Sequence, residues 1–263
     1  MAVTLFEHPL SPYARKLKIV LYEKGIDFTR QFVSPAAEPN DPVMQAWVAS
    51  SPRLEVPTLV DGDLRVFDST VILEYVEERW PEPPSLPSTP AERARVRMLE
   101  ELCDGELEAV NWGLMELNFF KRAEGAKAAE MTARAASQLR RIWTRLEREL
   151  DGRQWMNGER FGRGDAAVYP HIVGSAFFGQ EVPAEFARLR DWAGRAAERP
   201  SVQRDTTDVS TWMQTGLTGG ASTMPRVRQY RDYRLEWMMK SGGVDIVLEG
   251  IRAGTIMFAH EGE

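Results

Sequence analysis

Residues 53–73, RLEVPTLVDGDLRVFDSTVIL, constrain the fold more than any other stretch of the chain. Two short apolar runs flank Asp61-Gly62-Asp63, and Asp-Gly between such runs supplies the positive φ that a tight hairpin needs. Pro57 stands at the entrance of the first strand, where a missing N–H costs least, and an X-Pro bond is the kind that can be cis. Asp68-Ser69 then opens a helix whose N–H groups suit either a cap or a charged ligand group. The stretch reads as strand, turn, strand and capped helix, an antiparallel pair to which the rest of the chain must be fitted.

Upstream, Val3–Phe6 is a short apolar strand, followed by the loop Glu7-His8-Pro9-Leu10. Ser11-Pro12 is a helix start with serine as N-cap and proline at the first helical position. Ala14, Leu17, Val20 and Leu21 recur at helical spacing before Gly25 ends that helix. Ile26–Val33 reads as a second strand, Asn40-Asp41-Pro42 opens a short helix to about Ala49, and a helix over 68–80 closes the order βαβαββα. That order is a mixed sheet with helices packed on it. PEPPSLPSTP at 81–90 reads as a linker, and from Ala91 the pattern is purely helical. Helices are predicted over about 92–122, 126–150, 164–178 and 184–199, with Pro200 just beyond the last. In the tail, TGLTGGASTMP reads as a flexible connector and RVRQYRDYRLEWMMKS as an arginine-rich helix. Gly242-Gly243 breaks it, and VDIVLEGIRAGTIMF follows as a short helix and a strand-like piece.

Composition removes several function classes. A net charge of −6 argues against nonspecific nucleic-acid binding. The single cysteine, Cys103, rules out a disulfide framework or a CxxC pair, and His8, His171 and His260 form no metal-ligand spacing. No apolar run approaches a membrane span and the N-terminus lacks a signal pattern, so a cytoplasmic, metal-free protein with neither membrane nor nucleic acid among its partners is expected.

The combination of elements and motifs resembles the soluble glutathione transferase superfamily. SPYARKLKIVLYEKGIDF looks like the first helix of its serine-type members, and of cysteine-type members that carry CP in place of SP. VPTLVDGDLRVFDSTVILEYVEERWP looks like the cis-proline, hairpin and helix that hold the glutathione backbone, and FGRGDAAVYP like the buried motif that starts the core helix of the second domain. The resemblance covers about residues 2–200 and implies an α/β thioredoxin-like N-terminal domain (βαβαββα) followed by an all-α C-terminal domain. The implied division is 1–82 for glutathione binding and 91–205 for a helical domain with the acceptor site; 206–263 goes beyond the family's usual ending and reads as an extension that covers the site as a lid, contacts a partner copy or folds over the outside of the helical domain.

The resemblance also implies roles. Ser11, an N-cap on the residues alone, falls where the catalytic serine or cysteine sits; its hydroxyl and the helix N-terminus would stabilise a thiolate. Tyr13 is a rival donor, expected instead to pack beside the site or to face the second domain. Val56, before Pro57, would offer its main-chain N–H and C=O to the cysteinyl part of glutathione, while Asp68 and Ser69 would hold the γ-glutamyl end. Glu55 departs from the Lys or Gln common there, and its carboxylate repels the glycyl carboxylate, so either glutathione binds weakly or Arg53 substitutes as the cation, with His8 a further neighbour. Asp165 belongs to the fold as half of a capping box, and Cys103 to the core. Asn111, Trp112, Met115, Asn118 and Phe119 are candidates to line the acceptor pocket, their structural alternative being plain core. The expected activity is attack of the glutathione co-substrate's thiolate on a small hydrophobic electrophile by a homodimeric transferase, with ether cleavage and dehalogenation as variants. The alternative is a non-catalytic binding or regulatory protein of the same fold; thiol-disulfide exchange is disfavoured, because serine forms no mixed disulfide.

Overall fold

The computed structural model describes residues 3–33, 40–216, 235, 237–238 and 241–254. The chain divides into two compact units, Met1–Met224 and Pro225–Glu263. In the first, β1 (Val3–Glu7), β2 (Phe28–Phe32), β3 (Thr58–Asp61) and β4 (Leu64–Phe67) form one sheet in the order β2-β1-β3-β4. β1 is parallel to β2 and antiparallel to β3, and β3 and β4 form the expected hairpin, with Gly62 at φ +60° in its turn. The helices of this layer are α1 (Pro12–Glu23), α2 (Pro42–Ser50) and α3 (Ser69–Arg79). The Val56–Pro57 peptide is cis.

A helical layer follows. α4 (Pro90–Leu102) runs through a π-helical turn, Cys103–Leu107, into α5 (Glu108–Asn118). The single long helix expected over 92–122 therefore carries an inserted π-turn and ends earlier. Such turns commonly re-aim a side chain, and here Asp104 within it meets Lys16 and His171. α6 (Gly125–Glu149), α7 (Arg163–Phe177) and α8 (Ala187–Ala197) follow the expected order. α8 ends before Pro200 as expected, but Pro200 is also the first residue of α9 (Pro200–Gly216), a position where a missing N–H costs nothing. α9 runs on past residue 205, with Ser201, Val202 and Asp205 buried.

Asp165 at the start of α7 is fully buried. It accepts from the N–H groups of Met156 (2.8 Å), Asn157 (3.3 Å) and Gly162 (3.0 Å) and from Trp192 Nε1 (2.7 Å). A Cβ on Gly162 would come within 2.4 Å of Asn157 Nδ2 and the Ser85 carbonyl, which explains glycine where a capping serine or threonine is usual.

α1 is the surprise of the packing. Its apolar face is buried as its spacing predicts, but Arg15, Lys16 and Lys18 on its charged face are buried too. The helix packs against α3 of its own layer and against α7 and α9 of the helical layer. Each cation is matched by carboxylates from distant parts of the chain, as a buried charge requires. Arg15 Nε donates to Asp205 (2.8 Å), Lys18 lies near Glu7 (3.3 Å) and Asp205 (3.2 Å), and Lys16 pairs with Glu100 (2.7 Å) and with Asp104.

In the second unit, α10 (Val244–Ala253) begins where the break at Gly242-Gly243 predicts and ends on Gly254 at φ +65°. The connector of the tail, most of its arginine-rich segment and its strand-like end lie outside the described residues. Among the described residues no helix is long and apolar enough to cross a membrane, and no group of His, Cys, Asp or Glu could hold a metal ion.

Candidate functional site

The sheet register brings the predicted segments together. Phe6 of β1 faces Thr58 of β3, and Thr58 faces Phe67 of β4. The loop His8–Ser11, the corner Glu55–Pro57 and the helix start Asp68-Ser69 therefore all leave the sheet at the same end.

Ser11 is the N-cap of α1. Its Oγ accepts from Ala14 N–H (3.3 Å) and its own N–H donates to the His8 carbonyl (2.9 Å). The N-cap and catalytic readings do not compete, because a hydroxyl that accepts at a helix start still has its own proton to donate. Tyr13, in the first turn of α1, donates its hydroxyl to the Asp104 carbonyl of the π-turn (2.9 Å) and so faces the helical layer. Burial, then the carboxylates of Glu108, Asp104, Glu55 and Asp68, push that hydroxyl well above the usual tyrosine range, and it stays protonated. Glu55 and Asp68 are thus close enough for Tyr13 to sense.

Among the described residues no hydrogen bond engages the main-chain N–H or C=O of Val56. Glu55 is paired with Arg53 (2.7 Å), whose Nη1 also lies 3.8 Å from Asp68 Oδ2. The carboxylate that looked repulsive in the sequence carries its own counter-ion. Asp68 caps α3, its Oδ1 accepting from Thr70 N–H (3.0 Å) and Val71 N–H (3.2 Å), at a φ of +70° that aspartate tolerates better than most residues. Ser69 beside it is buried.

His8 is half-buried, not an exposed loop residue. Its Nδ1 accepts from Leu10 N–H (3.2 Å), and its ring lies against Phe32 (5.2 Å between centroids) and, edge-on, Trp212 of α9 (5.0 Å). Neither aromatic was singled out from the sequence. The available signal was the spacing of Asp205, Asp208 and Trp212, which places them on one face of a helix.

Of the acceptor-side candidates, Asn111 and Asn118 are committed to the fold. Asn111 donates to the His171 carbonyl (2.9 Å) and accepts from Ser175 (2.8 Å), and Asn118 donates to the Leu114 carbonyl (2.8 Å). Trp112 and Met115 are half-buried and Phe119 is exposed. These three share a helical face with Glu108, the residue whose charge Tyr13 senses. Behind Tyr13, His171 is buried between Asp104 (3.5 Å) and Glu108 (3.4 Å), with its ring edge-on to Tyr13. Two clefts lie elsewhere, one of about 410 Å³ between α2 and the sheet and one of about 340 Å³ beside the end of α1.

Comparison with known proteins bears on the family and the fold. The profile of the glutathione S-transferase N-terminal domain matches residues 5–84, and that of the C-terminal domain residues 110–200. A stringent starvation protein A homolog of Coxiella burnetii is 41% identical over 97 residues, 37% of this chain and 44% of that protein. The chain thus spans less than half the length of that relative. FtsZ-localized protein A of Caulobacter vibrioides is 28% identical over 204 residues, 75% of this chain and 87% of that protein. A solved glutathione S-transferase of Methylobacterium radiotolerans, in complex with glutathione sulfonate, superposes with a TM-score of 0.65 at 28% identity, covering 78% of this chain and 94% of its own.

Proposed function

Because the chain belongs to the glutathione S-transferase superfamily, we propose that it binds glutathione at this end of the sheet and activates the thiol for transfer. The observation that carries the reading is the register, which gathers Ser11, Val56 and the Asp68-Ser69 helix start at one sheet end. Val56 main-chain groups without an intramolecular partner suit the cysteinyl unit, and Asp68 and Ser69 suit the γ-glutamyl ammonium and carboxylate. Pro57 shapes the Val56 corner, Arg53 holds Glu55 neutralised beside it, and residues 1–82 form the glutathione half.

The co-substrate supplies a thiol. Ser11 donates its hydroxyl hydrogen to the sulfur, and the N-terminus of α1 adds its partial positive charge, so the thiolate is favoured at neutral pH. The sulfur forms a bond to an electrophilic carbon, which releases a leaving group or, after addition, takes up a proton from solvent. Trp112, Met115 and Phe119, in the helical part over 91–205, form the face for a small hydrophobic acceptor, and Tyr13 lies between the two halves. A homodimer in the cytoplasm belongs to the same proposal. Val71 and Met98, each 54% exposed, offer apolar surface for a second copy.

A second reading keeps glutathione binding without turnover, and it is favoured by the names of the two curated relatives above, neither of which denotes a transferase. Thiolate absorbance of the glutathione complex separates the two. For the transferase, wild type shows thiolate at pH 7 and Ser11→Ala loses it about tenfold or more. Equal thiolate signals would remove Ser11 from the mechanism; binding with no thiolate in wild type would favour the second reading.

A further inference from the structure

The face proposed for the acceptor is not apolar throughout. Half-buried Glu108 stands at its Tyr13 end, and Trp112 lies one turn further along α5 on the same side. Tyr13 is two residues from Ser11, so Glu108 marks the sulfur end of that face. We infer that Glu108 selects acceptors that carry a positive charge, of the alkylammonium class, close to their reacting carbon. The inference rests on the glutathione reading and deepens it.

The Glu108 carboxylate is held from behind and open in front. The buried His171 ring lies 3.4 Å from Glu108 Oε2 through Nδ1 and 3.5 Å from Asp104 Oδ1 through Nε2. Among the described residues only His171 pairs with Glu108, whose side chain is 18% exposed. His171 is thus a positioning residue, and its charge is shared between two carboxylates.

The other cations of this neighbourhood are shared in the same way. Lys16 serves both Glu100 and Asp104, and Arg53 both Glu55 and Asp68. The charges of Glu108, Asp104, Glu55 and Asp68 all reach the Tyr13 hydroxyl, so negative charge is in surplus there. A cationic group on the acceptor offsets that surplus, whereas a carboxylate in its place meets repulsion. Tyr13 and Trp112 add aromatic rings beside Glu108, and aromatic faces next to a carboxylate are the combination that holds alkylammonium groups. Met115 and Phe119, further along the helix, are left for the apolar body of the acceptor.

The test is calorimetry on the full-length protein with glutathione and three of its S-conjugates: trimethylammonioethyl, the uncharged dimethylbutyl group of the same shape, and carboxyethyl. Binding is read directly, so the outcome does not depend on turnover. Wild type should favour the ammonium over the carboxylate conjugate about tenfold or more. In Glu108→Gln the ratio of ammonium to dimethylbutyl affinity should fall about tenfold, while Glu108→Asp, which keeps the charge, should retain most of it. Unfolding curves check that both variants are folded. An unchanged ratio in folded Glu108→Gln, equal binding of the ammonium and carboxylate conjugates by wild type, or binding of glutathione but of no conjugate, overturns the inference and leaves the glutathione reading standing. Binding of neither glutathione nor any conjugate by wild type overturns both.

Discussion

Asp165 and Asp68 both stand at helix starts, but their carboxylates are used differently. Asp165 is sealed and accepts from four donors, so its acceptor capacity is spent inside the fold. Asp68 gives one oxygen to its cap, while the other, on a side chain 40% exposed, faces outward near Arg53. Replacing Asp165 by Asn substitutes a donor for one acceptor oxygen and sets N–H against N–H in a dry site. The expected loss is about 2–4 kcal/mol of stability in urea unfolding, without a specific change at the site. Ser11→Ala removes only an N-cap bond from the fold, so its stability loss should stay near about 1 kcal/mol while its effect on the thiol is large.

At the scale of elements, α1 and α9 form a pair that no local pattern announces. Asp205 is buried against Arg15 and Lys18, residues about 190 positions earlier in the chain. Asp205→Ala would leave both cations buried without that partner, and a loss of about 3–5 kcal/mol in chemical denaturation is expected. The hairpin, the α3 cap and the serine start of α1 were legible in the sequence because turn and cap chemistry is local: Asp61-Gly62, Asp68 and Ser11 each act within four residues. α9 was not legible because Pro200, read as a stop, is equally a helix start. The contact of His8 with Trp212 and the π-turn at Asp104 depend on tertiary neighbours, and a sequence names neither partner nor distance.

At the scale of the first unit, the sheet layer and the helical layer share one apolar core, crossed by a buried seam of charge in which His171 meets Asp104, Glu108 and the ring of Tyr13, with Lys16 on the far side of Asp104. Burial opposes the charged form of His171, but its contacts with Asp104 and Glu108 outweigh that and raise its pKa above 6.5. A raised folded pKa contributes stability that is fully present below the unfolded value and is lost as pH rises through the folded one. Wild type should therefore lose more stability than His171→Gln between pH 6 and pH 9 in unfolding curves, a range chosen about the ordinary histidine value of roughly 6.5. Parallel slopes would show that the imidazolium is not part of the seam.

The central claim is that the gathered sheet end is a glutathione site, and calorimetric titration of wild type and Asp68→Asn with reduced glutathione tests it most directly. Asn keeps the cap of α3 and removes the charge offered to the γ-glutamyl ammonium. The account predicts saturable binding by wild type, weakened about tenfold in Asp68→Asn at unchanged stability. No binding by wild type at millimolar glutathione, or equal binding by the two proteins, would contradict it.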